Sequence, residues 1–218
     1  YNFNIVQVSN YFDFPVTQKP LLNLWSLSVE EQFYMVWPLI ILLSLRYNVS
    51  YTKILGFLIL SSLILNILTM SHDKANAFYL PHLRFYEIGI GAFLACSNLS
   101  LTFKKKFGLI MPLFGLLLII LGLIIIDNSK PFPGYLALLP TLGTALLILS
   151  NENNFINKYI FSNKIMVFVG KVSYPFYLFH WPAFAFENLL NRADPGSREF
   201  RLLVVVSSFI FAIFIFKF

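Results

Sequence analysis

Three short stretches hold the side chains of this sequence whose types and spacing could do chemistry. In LLNLWSLSVEEQFYMVWPLIILL, residues 21–43, the adjacent carboxylates Glu30 and Glu31 come just ahead of a long apolar run. A carboxylate at membrane depth costs roughly 2.5–3.5 kcal/mol, so it must face a wet cavity, find a cation or take up a proton. The last of these states is the one that acid–base work near neutral pH draws on. On a helix beginning near Ser26, positions 26, 30, 33 and 37 share a face, so Ser26 and Glu30 would point with Phe33 and Trp37, while Glu31 points elsewhere. The plainer alternative is that both acids only begin a helix, with Ser26 as its cap.

The second stretch is HLRFYEIGIGAFLA, residues 82–95, where Arg84 and Glu87 are three apart and can pair across one turn. A simple ion pair is one reading. The other has Arg84 reaching Glu30 or an anionic group of a substrate, with Glu87 fixing the guanidinium, because Arg suits carboxylate and phosphate better than Lys does. The third is VGKVSYPFYLFHWPAF, residues 169–184. There Ser173, Tyr177 and His180 follow at spacings of four and three and form one polar stripe on an apolar helix. Such a stripe points to a lined cavity, although a His at a membrane interface can equally be a satisfied donor.

These residues need helices in a membrane to position them. Of 218 residues, 58% are hydrophobic and 12% charged, and Phe alone occurs 25 times. Soluble domains carry about 25% charged residues. Apolar runs and their breakers predict seven spanning helices, at 26–45, 52–70, 82–97, 107–126, 134–150, 165–190 and 202–216, in an all-α polytopic bundle. Residues 1–25 read as an extracytoplasmic loop or the end of a preceding helix, and 26–218 as one membrane domain.

Small residues Gly89, Gly91, Ala92 and Ala95 would let a neighbouring helix approach closely. Pro112, Pro140, Pro175 and Pro182 fall inside the predicted helices.

The net charge of +6 comes from bases in short loops rather than from a basic aromatic surface, which argues against nucleic acid. If the first helix runs inward, the inner loops hold Arg46, Lys53, Lys104, Lys105, Lys106, Lys158, Lys164, Lys171 and Lys217 against Glu152 alone. The excess of Lys and Arg marks the cytoplasmic side. Glu30 and the turn from Arg84 to Glu87 then lie toward the outer face. Cys96 is the only cysteine, so neither an internal disulfide nor a thiolate metal site is expected.

In the order LWSLSVEEQFYMVWPL, LRFYEIGIGAFLA and VGKVSYPFYLFHWP, the motifs resemble the membrane-bound acyltransferases of the acyltransferase-3 type, especially bacterial O-antigen and surface-glycan O-acetylases. The resemblance covers the chain from about residue 21 onward. It implies a ten-helix bundle in the bacterial inner membrane, of which the last seven are here, and a catalytic His on an absent early helix, so that this piece would be inactive alone. A soluble esterase-like domain follows in many relatives.

The resemblance also assigns roles. Glu30, Arg84 and Glu87 would be catalytic, and Trp25, Ser26, Tyr34, Ser173, Tyr174, Tyr177 and His180 would bind substrate. No cofactor or metal would be bound. Acyl-CoA, above all acetyl-CoA, would be the donor from the cytoplasm, and a hydroxyl of a lipid-linked or cell-surface carbohydrate such as lipopolysaccharide the acceptor. The chain departs from the family pattern at Asn23, where a His is frequent, and at Tyr86 and Phe179, which replace Trp. A transporter or flippase for a lipid-linked or anionic substrate is the alternative; it predicts an internal repeat, and none is visible.

Overall fold

The computed structural model describes residues 19–97, 108, 110–127, 130–150, 154–190 and 198–217. Among them the chain is helical, with α1 Leu24–Tyr47, α2 Tyr51–Met70, α3 Lys74–Tyr79, α4 Pro81–Cys96, α5 Met111–Ile125, α6 Leu138–Leu149, α7 Lys164–Leu190 and α8 Arg198–Lys217. A 3-10 turn, Gly134–Ala137, leads into α6. The expectations for residues 1–18, for Lys104, Lys105, Lys106 and Glu152, and for a helix start at Phe107 lie outside the described residues.

The helices follow the apolar runs of the sequence. α2 and α8 are each 20 residues long, with mean hydropathies of 2.0 and 2.2 over their most apolar stretches, and are long and apolar enough to cross a membrane. At 1.5 Å per residue such a helix is about 30 Å long, the thickness of a bilayer's hydrocarbon core. Their outward faces carry Phe57, Leu60, Ile64 and Leu68 on α2 and Leu203, Val206, Ile210 and Phe214 on α8, all exposed. Water solvates apolar surface of that extent poorly and lipid solvates it well. The fold is thus an all-α membrane helix bundle, as the composition predicts.

Two compact units make up the described chain. One consists of residues 19–27, 161–190 and 198–217, the other of the described residues between 28 and 160. In the first, α7 and α8 pack as a hairpin. Phe176 meets Phe209 and Phe179 meets Phe211 edge to face, at 5.8 and 4.8 Å between ring centres. Such offset contacts are the favoured aromatic geometry.

In the second unit α2 packs on α4, and α5 on α6. The α5–α6 contact is closest at Gly115 and Gly143, where a Cβ built on either would stand 2.7 Å from the carbonyl oxygen of the other. Membrane helices, with no water to drive them together, rely on such backbone approach. Of the small residues expected to serve this purpose in α4, Gly89 does so, since a Cβ there would come within 2.9 Å of Ile59 Cγ1, whereas Gly91 has nothing within 4 Å.

A set of buried hydrogen bonds holds α4 in place. Asn66, wholly buried, donates from Nδ2 to the carbonyls of Ala77 and Leu83 at 2.9 and 3.0 Å, and its Oδ1 accepts from the Gly134 backbone N–H at 3.0 Å. Ser62 donates to the His82 carbonyl at 2.7 Å and accepts from the Tyr86 backbone N–H at 3.2 Å. The Tyr86 hydroxyl donates to the Gly134 carbonyl at 2.9 Å. His82 and Leu83 lie in the first turn of α4, so these bonds from Ser62 and Asn66 tie the start of α4 to α2. Gly134 has φ of +44°, a left-handed conformation that a side chain disfavours.

Candidate functional site

In the unit of residues 28–160 two of the charged groups expected to carry chemistry meet at Arg84. Its Nε donates to Glu87 Oε1 at 3.0 Å and its Nη2 to Oε2 at 2.7 Å, a two-pronged pair across one turn of α4. The guanidinium lies 5.3 Å from the Phe78 ring centre and 5.9 Å from that of Phe132. Phe78 comes from α3 and Phe132 from the segment before Gly134, so the Asn66 and Tyr86 hydrogen bonds fix the aromatic walls as well as the helix that carries Arg84. With 13% and 22% of their side chains exposed, Arg84 and Glu87 are desolvated in part and still reachable. A planar cation held by a carboxylate beside two aromatic rings keeps a fixed orientation, and its remaining N–H groups can donate to an oxygen of a bound group.

Glu87 also stands at one end of a groove of about 290 Å³ between α4 and α6, lined further by Ile90, Gly91, Leu94 and Thr144. The open space at Gly91 keeps that groove from being filled by the helix's own side chain. Thr141 and Thr144 turn their hydroxyls back to the Ala137 and Pro140 carbonyls at 2.6 and 2.8 Å, leaving an apolar wall.

Within α1 the inward stripe runs through Trp25, Val29, Phe33 and Ile40, all buried. Phe33 stacks on Trp37 at 6.0 Å and meets Phe85 edge to face at 5.6 Å. Glu30, Glu31 and Tyr34 are exposed, so Glu30 does not follow Phe33 inward as the shared helical face predicts. The helix begins at Leu24, two residues earlier than expected, and has no acid in its first turn. Ser26 is therefore inside the helix instead of capping it, and the capping account of the two glutamates does not apply.

The unit of residues 19–27 with 161–217 gathers a second polar group. Asn23 Nδ2 donates to the Tyr177 carbonyl at 2.9 Å, the Tyr177 hydroxyl donates to the Asn23 carbonyl, and the Ser26 and Tyr177 hydroxyls are 2.6 Å apart. Trp181 Nε1 donates to the Lys19 carbonyl at 2.9 Å. His180 Nδ1 is 2.9 Å from the Phe176 carbonyl. A carbonyl only accepts, so Nδ1 is the donor of this bond and Nε2 is left for another partner.

Tyr177 and His180 lie side by side, ring centres 5.9 Å apart, but Ser173 is exposed and donates to the Gly170 carbonyl of its own helix at 2.7 Å, and Tyr174 is exposed as well. The stripe of three therefore reduces to two. Asn23, only 5% exposed, has a buried Oδ1 with no hydrogen-bond partner among the described residues.

Sequence reasoning did not single out Asn66 and Ser62 and treated Asn23 only as a departure from a pattern. The signal was there: a carboxamide or hydroxyl in a run of Leu and Ile must find partners in lipid.

A family profile described as an acyltransferase domain matches residues 2–217. An uncharacterized protein of Haemophilus influenzae is 32% identical over 165 residues, 70% of this chain and 67% of its own length. The peptidoglycan O-acetyltransferase OatA of Listeria monocytogenes is 29% identical over 224 residues, 96% of this chain but 36% of its own length. The chain thus spans about two thirds of the first relative and about a third of the second. No solved structure matches it.

Proposed function

Since the chain belongs to the acyltransferase-domain family, we propose that it serves an O-acyltransferase of the bacterial cell envelope, moving an acetyl group from acetyl-CoA to a hydroxyl of a glycan. The observation that carries the proposal is the family match over residues 2–217. The name of the Listeria relative favours peptidoglycan over lipopolysaccharide as the acceptor. In the reaction the hydroxyl oxygen attacks the thioester carbonyl and loses its proton to a base. The carbon–sulfur bond breaks, and coenzyme A leaves as the thiol.

Arg84 would hold the negative charge that develops on the carbonyl oxygen or on the donor's phosphates, with Glu87 keeping its plane fixed. The apolar groove that ends on Glu87 would accept the donor's extended arm. Glu30, exposed on α1, would orient or charge-balance the base, and His180 Nε2 with the Ser26–Tyr177 pair would hold hydroxyls of the acceptor. Trp25, Tyr34, Ser173 and Tyr174 complete the substrate-binding set in this reading. A multi-pass place in the cytoplasmic membrane fits a donor on one face and an acceptor on the other.

The test is ester-linked acetate in purified peptidoglycan and in surface polysaccharide from a strain lacking the gene. Loss from peptidoglycan that the intact gene restores is the expected result. Loss from lipopolysaccharide alone would move the acceptor, and unchanged acetate in every glycan fraction would overturn the proposal.

A further inference from the structure

A cavity that plays no part in the proposed reaction lies in the α7–α8 hairpin, with a volume of about 440 Å³, within the range typical of small-molecule sites. Its polar lining sits at the end of the hairpin. Glu187 and Asn188 come from the last turn of α7, and Arg198 and Arg201 from the first turn of α8. Deeper along both helices the lining turns apolar, through Trp181, Phe184, Leu202 and Val205. On α8 the positions 198, 201, 202 and 205 follow the spacing of one helical face. The two guanidiniums and the apolar wall therefore belong to a single stripe.

We infer that this cavity binds a membrane lipid with a phosphate head, the head between Arg198 and Arg201 and an acyl chain along Leu202 and Val205. Three observations support this occupant. α8 is long and apolar enough to span a membrane, and its apolar stretch starts behind the two arginines, which would set them at headgroup depth. The cavity's lining holds two cations and one carboxylate, Glu187, with Glu199 of the same turn of α8 outside it, so the lining carries an excess of positive charge that complements an anionic head. The deeper lining, mostly hydrocarbon, suits a lipid tail and offers little to a sugar or a free ion. The fork of an arginine matches phosphate oxygens, and a pair three residues apart on a helix can address one group together. Nothing in this assignment depends on acyl transfer.

The test uses the full chain purified into bilayer discs of phosphatidylcholine alone or with phosphatidylglycerol, with bound lipid read by mass spectrometry of the intact complex. Phosphatidylglycerol should be retained in preference to phosphatidylcholine. Arg198→Gln with Arg201→Gln should weaken that retention by about fivefold per arginine.

Leu202→Trp keeps both charges and fills the cavity, and should also lose the lipid. Its thermal midpoint in phosphatidylcholine should match that of the parent chain, which separates a blocked site from a misfolded helix. Equal retention of phosphatidylglycerol by the double variant and the parent would overturn the inference. So would full competition by inorganic phosphate, which would make the site one for a free anion, and so would unchanged lipid binding in Leu202→Trp.

Discussion

Asn66 accepts the backbone N–H of Gly134 at 3.0 Å from 68 positions away in the sequence, while its amide nitrogen serves the carbonyls of Ala77 and Leu83. One side chain thereby joins α2, the end of α3, the start of α4 and the turn before α6. The aromatic walls around Arg84 rest on these same segments, so the support of the site and the stability of this unit share a cause.

Asn66→Leu should destabilise the protein by about 2–4 kcal/mol, because a leucine of similar size leaves a buried N–H and two carbonyls without their partner. Thermal unfolding in detergent should show a lower midpoint than in the parent chain. A midpoint within a degree of the parent would mean that water or other groups satisfy the three atoms.

Gly143→Ala should cost about 1–3 kcal/mol, since its Cβ would meet the Gly115 carbonyl oxygen at 2.7 Å and push α5 from α6. Gly91→Ala should be neutral or slightly stabilising, because nothing lies within 4 Å of that Cβ and alanine favours the helix. The two melting curves measured side by side check the contrast, and equal shifts would contradict the close approach.

Arg84→Lys should lower glycan O-acylation about tenfold or more while the protein still reaches the membrane, for lysine keeps the charge but not the two-pronged grip on Glu87. Acyl transfer in membranes and immunoblotting of membrane fractions provide the readouts. Near-parent transfer would confine the pair to a structural ion bridge.

Glu30→Gln should leave the melting temperature unchanged, because the side chain is exposed, yet abolish or strongly reduce O-acylation in the intact enzyme. Normal acylation in this variant would remove Glu30 from the mechanism.

Much of the architecture could be read from the chain in order. The runs around residues 52–70 and 202–216 became α2 and α8 with little change, because a spanning helix satisfies its own backbone hydrogen bonds and needs only a long enough stretch of apolar side chains. The pairing of Arg84 with Glu87 was equally local, being a contact across one turn. Pro112, expected inside a helix, instead stands in the first turn of α5, where its missing N–H costs nothing. α3 went unpredicted because six residues are too few to show a period; its Asp73 cap at the Asn76 N–H was a sequence signal that passed unused.

Sequence by itself thus determined the class of fold, the long apolar helices and the charged pair on α4, all of which rest on interactions within a few residues or with the lipid. Only tertiary structure decided that Glu30 faces outward while Phe33 turns in, that Ser173 leaves the stripe of Tyr177 and His180, and that Asn66 and Gly134 meet. The physical reason is that a helix's period defines its faces without saying which one a neighbour covers. That choice is made by contacts between segments far apart in the chain, where steric fit and the need of buried polar atoms for partners select one arrangement.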